Sequence, residues 1–391
     1  MKSQSMVVAG VMSGTSADGV DVALTRIAPR RNNTPSIELL AHEHFSYPPA
    51  LRRAVLSAMN AHSISAAELA RLNWRLGEVY AEAVVQTISK TIAKHKVKVD
   101  LIGCHGQTIY HQGKQEKYLG RPLRCTWQLG EPALIAERNR TPVVSNFRAI
   151  DMAVGGQGAP LVPMLDYVLF RDTKRNRILQ NLGGIGNLTV LPAGATAEEV
   201  FAFDTGPANM VIDACMQRLY GRPYDRNGAV AANGWIIRSV VTQLLRDPYF
   251  TAKPPKSAGR EQFGEAYVAR FLKLCKAHKA QPGDIIATAT ALTAWSISAT
   301  CKRFVLPKLA NRPTDFIVSG GGTRNTTLMT MLELSLGFTV LRSDDLGLPS
   351  QAKEAAAFAL LAWLTWHGLP GNIPSATGAK RTVILGSITY A

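Results

Sequence analysis

Three glycine-rich turns and one aspartate carry most of the chemistry that can be read from the residues. The first turn is Gly14, Thr15, Ser16, Ala17, Asp18, Gly19, Val20 and Asp21. Glycine, threonine and serine in a tight turn bring backbone N–H groups and hydroxyls close to an anion, as a triphosphate requires. Two aspartates in the same turn do not favour phosphate directly. They make sense if a Mg²⁺ ion or an ordered water lies between carboxylate and phosphate. A plain hairpin turn competes with this, because Asp-Gly is a strong hairpin signal. The second turn, Gly183-Gly184 in NLGGIGNLT, would be ordinary on its own. The third, Gly320, Gly321 and Gly322 in VSGGGTRN, joins a strand to a helix. Such a run lets the backbone approach a flat or charged ligand, and the helix N-terminus behind it favours phosphate. It is not a Walker A loop, since the Lys-Ser/Thr ending is absent, and its spacing is not that of a dinucleotide fingerprint. Three such turns at strand ends point to nucleotide.

Asp204, in FDTGP, falls where a strand ends and a helix begins. A carboxylate at the C-terminal edge of a sheet points toward the ligand crevice of an α/β protein. Phosphoryl transfer needs one such group to take a proton from the attacking hydroxyl or water. The position also suits a helix N-cap. His105 and Gln107, in CHGQT, follow another strand and are placed as ligand contacts; a satisfied structural histidine accounts for His105 equally.

These residues need strands that end beside one another. A β-meander is expected at Met6–Met12, Val20–Ile27 and Ile37–Tyr47. Ser65 with Glu68 predicts a capped helix whose apolar stripe is Leu69, Leu72, Leu76, Val79, Tyr80 and Ala83. Further strands are expected at Asp100–Cys104, Pro142–Ser145, Arg177–Asn181, Leu188–Leu191, Val200–Phe203 and Asp315–Val318. Helices are expected from about Asn325 and over Gln351–Trp366, the latter stopped by Gly368 and Pro370. A hairpin with a small-residue turn, more sheet and then helices recurs in the two parts of the chain, as in a duplicated α/β protein. The expected division is 1–145 and 146–371, with 372–391 returning to the first domain.

The 391 residues, 46% hydrophobic and 18% charged, suffice for two domains with real cores. No apolar run reaches the length of a membrane span, and the N-terminus lacks a signal-peptide pattern. The five cysteines are scattered, with no Cys-x-x-Cys pair, which fits neither a zinc site nor a disulfide framework and suits a reducing cytoplasm. The formal charge of +16 is dispersed, without the dense basic tract and interleaved aromatics of a nucleic-acid groove, so neither nucleic acid nor membrane is an expected partner.

Taken together, MSGTSADGVDVAL, CHGQTIYH, NFRAIDMAVGGQGAPLVP, NLGGIGNLTV, FDTGPANMVID, VSGGGTRNTTLM, QAKEAAAFALLAW and ILGSITYA resemble the anhydro-N-acetylmuramic acid kinases, in order, from near residue 8 to the end. The resemblance implies two actin/hexokinase-like (ribonuclease H-like) α/β domains with mixed sheets flanking a central ATP cleft. It implies ATP with Mg²⁺, a sugar substrate (1,6-anhydro-N-acetylmuramic acid), and a cytoplasmic role in peptidoglycan recycling, with a homodimer as one assembly. Carried over by motif, Gly14–Asp21 resembles the phosphate loop and Asp204 the base that activates water at C1. Arg148 and Glu354 resemble substrate-side residues. Where the family commonly reads Asp-Phe-Arg this chain has Asn146-Phe147-Arg148. The alternatives are a same-fold kinase acting on an ordinary amino-sugar hydroxyl, and an ATP switch of the actin or Hsp70 type.

Overall fold

The computed structural model describes residues 5–14, 16–30, 34–59, 61–95 and 98–391. Thr15, one residue of the first glycine turn, lies outside them. The chain divides into two compact units, Met1–Leu169 with Gln351–Ala391, and Phe170–Ser350.

In the first unit β1 (Met6–Ser13), β2 (Gly19–Ala28) and β3 (Ser36–Ser46) form an antiparallel meander. The long strand β4 (Leu101–Tyr118) runs parallel to β1 and carries β5 (Arg121–Leu129) as a hairpin. Beyond it lie β6 (Val143–Ser145), parallel to β4, and β12 (Ser387–Thr389), antiparallel to β6. The last six residues of β1 are all buried. An unbroken apolar run of this kind belongs to a strand covered on both faces. On one face lies the helix Ala66–His95, whose Leu72, Leu76, Tyr80 and Ala83 share a core with Val11, Val20, Val22 and Leu24. Ser65 Oγ accepts the Glu68 N–H at 3.1 Å, the expected cap. On the other face lies the helix Lys353–Trp366, which sits almost directly on the sheet. Gly10 and Gly103 are register partners on β1 and β4. A Cβ on Gly10 would fall 1.8 Å from the Ala355 carbonyl oxygen, and one on Gly103 would fall 2.2 Å from that of Phe358. Only glycine permits this approach.

The second unit repeats the plan. Strands β7 (Asn176–Leu182), β8 (Ile185–Leu191) and β9 (Phe201–Pro207) form the meander; β10 (Thr314–Ser319) is parallel to β7, and β11 (Val340–Arg342) to β10. The sheet orders are β12-β6-β4-β1-β2-β3 and β11-β10-β7-β8-β9. Helices Met210–Tyr220, Pro282–Thr300 and Thr326–Leu336 supply the second core. This is the α/β, mixed-sheet, two-unit build that the sequence led us to expect.

The boundaries fall elsewhere than 145/146 and 371/372. The segment after β6 stays with the first unit because Asp151, fully buried, binds it to the C-terminal segment. Its carboxylate accepts hydrogen bonds from Gly158 N (2.8 Å), Asn372 Nδ2 (2.7 Å) and Thr377 Oγ1 (2.8 Å). The return begins at Gln351, since the helix Lys353–Trp366 packs on β1 and β4. Two strands also outrun their expected ends. His105 and Gln107 lie inside β4, and Asp204 lies inside β9.

Candidate functional site

In the first unit β1, β4 and β6 are parallel, so Ser13 and Ser145, which end β1 and β6, come toward the same side of the sheet as Gln107, the register partner of Ser13. The turn after β1 is held from beneath. Ser13 Oγ donates to Gln107 Oε1 at 2.6 Å and also lies 2.7 Å from the Tyr47 hydroxyl and 3.0 Å from the Gly19 carbonyl. Gln107 Nε2 in turn donates to the Gly14 carbonyl at 3.1 Å. Burial pushes the Tyr47 hydroxyl up to about 12, so it remains a neutral hydrogen-bonding group. Gln107 is therefore a brace for the turn: it is completely buried, and both ends of its amide are engaged.

The turn itself is compact. Ala17 has φ of 50°, and its N–H reaches back to the Gly14 carbonyl. Ser16 Oγ donates to Asp18 Oδ1 at 2.7 Å. Ala17 and Val20 bury their side chains in the core, so only their backbones are available to a ligand. Asp21 is not in the turn but is the third residue of β2, where its Oδ1 meets His42 Nε2 (3.0 Å) and His44 Nδ1 (3.2 Å).

Arg148 is a cation held in place by two hydrogen bonds. His105 Nδ1 lies 2.7 Å from the Gly106 carbonyl and must carry the proton there, which leaves Nε2 as an acceptor. Arg148 Nε donates to that nitrogen at 3.0 Å, and its Nη1 donates to the Gly158 carbonyl at 2.6 Å. Burial, reinforced by the neighbouring guanidinium, holds the His105 ring well below its ordinary range, so it is neutral. The same two causes bring His111 down to about 4. Burial lowers Arg148 itself to about 10, while Glu354 and Asp151 oppose the shift, so it keeps its charge at neutral pH. Glu354 opens the helix Lys353–Trp366. It keeps an exposed surface, yet the protein around it strips its hydration and raises its carboxyl, an effect Arg148 opposes and Asp21 adds to. Next to it Lys353 is buried in an ion pair with Asp166 at 2.7 Å, which fixes the first turn of this helix. Asn146 has φ of 56°. Asn and Asp are the side chains that best tolerate this region, so Asn146 suits the backbone turn that precedes Arg148.

In the second unit Gly183 and Gly184 form the β7–β8 turn, and Gly320–Gly322 follow β10, the parallel neighbour of β7. The two glycine segments therefore lie side by side. Gly320, with φ of 90°, packs on Asn181 and Leu182, whereas a Cβ on Gly321 would meet nothing within 4 Å. The carbonyls of Gly183 and Gly184 accept the first N–H groups of the segment entering the helix Met210–Tyr220, so that helix start is already capped. Asn325 caps the helix Thr326–Leu336 through Leu328 N at 2.9 Å. What remains for an anion or a flat ring is the open backbone at Gly321.

Asp204 lies in β9 opposite Asn187, near the same sheet end. It is no N-cap: the strand continues to Pro207, and Asn209 holds the cap position. Its Oδ2 accepts the Ala258 N–H at 2.7 Å, and the Tyr249 hydroxyl donates to its backbone carbonyl at 2.9 Å. Burial raises the carboxyl from 3.8 to about 6; the Ala258 hydrogen bond opposes the shift, Glu261 adds to it, and Lys256 opposes it. Lys256, lowered to about 8 chiefly by burial, sits 4.7 Å from the Tyr249 ring centroid. A carboxylate with one oxygen fixed and an affinity for protons near neutrality suits a general base.

The structure thus gathers Gly14, Ser16, Asp18, Gly19, Asp21, His105, Gln107, Arg148 and Glu354 at one end of the first sheet. It gathers Gly183, Gly184, Asp204 and Gly320–Gly322 at one end of the second. Sequence reasoning missed Ser13, Tyr47, the Lys353–Asp166 pair and the Asp204 cradle of Tyr249, Lys256 and Ala258. These are contacts between distant segments, and no local pattern announces them. The His42-x-His44 spacing, which puts both rings on one face of a strand, was a usable signal for the clamp on Asp21. Among the described residues no group of three or more His, Cys, Asp or Glu side chains could hold a metal ion. Among them, too, no helix is long and apolar enough to cross a membrane.

The model of the family described as anhydro-N-acetylmuramic acid kinase matches residues 6–391. A protein of that name from Bacillus cereus is 45% identical over 98% of this chain and 99% of its own length. Another from Bacillus thuringiensis is 44% identical over 98% of both. Among solved structures, the activator of 2-hydroxyisocaproyl-CoA dehydratase from Clostridium difficile, with bound ADPNP, covers 92% of this chain and 94% of its own at 12% identity. Its TM-score is 0.43, and at that distance it carries no argument about this chain. The sequence likeness alone is decisive: over practically its whole length, the chain belongs to the anhydro-N-acetylmuramic acid kinase family.

Proposed function

We propose that the protein is an ATP-dependent kinase that opens 1,6-anhydro-N-acetylmuramic acid with water and phosphorylates it, yielding N-acetylmuramic acid 6-phosphate in the recycling of cell-wall sugars. The observation that carries this reading is Asp204, a carboxyl near pKa 6 with one oxygen held by Ala258 N–H. Asp204 takes a proton from water as the water oxygen bonds to C1. The bond from C1 to the bridging oxygen breaks, and that oxygen, as O6, bonds to the γ-phosphorus while the bond to ADP breaks. Arg148, oriented by neutral His105, and Glu354 bind the sugar and set its position; no covalent enzyme intermediate is needed.

Gly14–Asp21 and the glycine segments of the second unit are the phosphate- and nucleotide-facing backbone in this reading. Magnesium fits the donor set: it asks for one or two carboxylates with phosphate oxygens and water completing the shell. Asp18 and Asp21, each with one oxygen engaged, are the side chains that would hold it. When bound, it neutralises charge on the phosphates. The whole-length family match disfavours a simple sugar kinase and an actin- or Hsp70-type switch. The reading places the reaction in the cytoplasm, without nucleic-acid or membrane partners. A homodimer is the assembly to check by light scattering.

The test is turnover in ¹⁸O-labelled water with prompt analysis of the product. The label should enter the anomeric oxygen and not the phosphate. Label in the phosphate, or preference for N-acetylmuramic acid over its anhydro form, would overturn the proposal.

A further inference from the structure

The first unit has a recess of about 840 Å³ that none of the assigned residues lines. Its walls come from β5, from the segment after Arg148 and from the C-terminal segment; they include Arg124, Cys125, Met152, Gly155, Gly378 and Lys380. Among the described residues that line it, two are cations and none is a carboxylate. Arg124 is anchored, its Nη1 donating to the Gly155 carbonyl at 2.7 Å. Its Nε is buried and, among the described residues, has no hydrogen-bond partner. A buried donor without an acceptor is a standing cost, so the protein leaves the guanidinium that lines the recess incompletely satisfied. The alkyl stem of Lys380 lies along Gly155, where an added Cβ would be 3.5 Å from Cγ and Cε, so this ammonium is carried to the same rim. Among the described residues neither Arg124 nor Lys380 forms an ion pair with a carboxylate.

We propose that this recess binds a phosphate dianion, free or carried on a small molecule, between Arg124 and Lys380. The anchored guanidinium presents a fixed edge and the ammonium a mobile point charge, a pairing that suits a compact dianion better than an extended carboxylate chain. The site stands apart from the sugar-kinase reading and does not depend on it.

Cys125 supplies the reporter, because it lines the recess and is half-buried while the other four cysteines are buried. The experiment follows alkylation of Cys125 by N-ethylmaleimide in the full chain, by mass spectrometry, at constant ionic strength. Chloride, inorganic phosphate and glucose 6-phosphate are compared. Protection should follow mass action, reaching about tenfold at ten times the dissociation constant. It should vanish in Arg124→Gln and in Lys380→Gln, the second of which leaves the Arg124–Gly155 hydrogen bond intact, while sugar-kinase turnover stays at the wild-type level in both. Tighter protection by glucose 6-phosphate assigns the anion to a carrier molecule, and tighter protection by inorganic phosphate assigns it to the free ion. Absence of protection by either, or protection that survives both substitutions, overturns the site.

Discussion

Asp204 offers the sharpest test of the chemistry, because its environment fixes both a pH and a sign. Its carboxyl is raised from 3.8 to about 6, mainly by burial. Acting as a base, it must be ionised in the free enzyme. At pH 7 a group of pKa 6 is about nine-tenths ionised and at pH 5 about one-tenth, so kcat/KM should fall roughly tenfold between them. An ordinary carboxyl of 3.8 would still be almost fully ionised at pH 5, and the profile would be flat there. The same shift has a stability cost. The folded state binds the proton more tightly than the unfolded chain, so this group's contribution to stability is greatest at low pH. That contribution is lost as pH rises from about 4 through 6, by about 3 kcal/mol for a shift of two units. Asp204→Asn removes the charge, and its amide oxygen can still accept the Ala258 N–H. The variant should therefore melt at or above the wild-type temperature at pH 7 while turnover drops by about 10²–10⁴-fold, with ATP and sugar binding retained. Calorimetry and steady-state kinetics over pH 4.5–8 read both effects. Near-normal turnover in Asp204→Asn, or a wild-type profile flat to pH 5, would refute the assignment.

Other substitutions separate binding from folding. His105→Leu takes the acceptor from Arg148 Nε and should raise the KM for the sugar about tenfold, the worth of one charge-assisted hydrogen bond, with the KM for ATP unchanged; an unaltered sugar KM would remove Arg148 from the substrate side. Lys353→Met removes the ammonium that meets buried Asp166 at 2.7 Å and should cost about 3–5 kcal/mol in denaturant unfolding. Gly10→Ala drives a methyl into the Ala355 carbonyl and should destabilise by at least about 1–3 kcal/mol. Gly321→Ala meets open space, so it should leave the melting temperature alone and raise the KM for ATP; an unchanged ATP KM would take Gly321 out of the nucleotide site.

The meanders, the long capped helix and the glycine turns were legible because they rest on local patterns: alternation, helical spacing and turn residues. Strand ends were less so. Small or polar residues read as punctuation at His105–Thr108 and Asp204–Pro207, yet both strands run on because they pair with long neighbours, β4 with β5 and β9 with β8. The domain boundary was misplaced for the same kind of reason. Asp151 meets Asn372 and Thr377 across more than two hundred residues, and nothing at Asp151 signals it. Residue roles divided similarly. Asp204 could be singled out from its position, whereas the bracing contacts of Gln107 beneath the turn are visible only in the fold, which occupies both ends of its amide.

The repeated sheet plan explains where the chemistry of the second unit came from. Both meanders turn back after their first strand, at residues 14–18 and at Gly183-Gly184, and in each the third residue of the second strand faces a titratable side chain on the third strand. In the first unit that pair is Asp21 and His44; in the second it is Asn187 and Asp204. The carboxylate has changed strand. In the first unit two histidines engage it, whereas in the second it faces an asparagine that carries no charge to satisfy it, beside Tyr249 and the Ala258 N–H. Burial without a cationic partner in contact raises a carboxyl, while a directly opposed cation would lower it. One scaffold thus offers two versions of the same register position, and on β9 burial raises the Asp204 carboxyl to about 6.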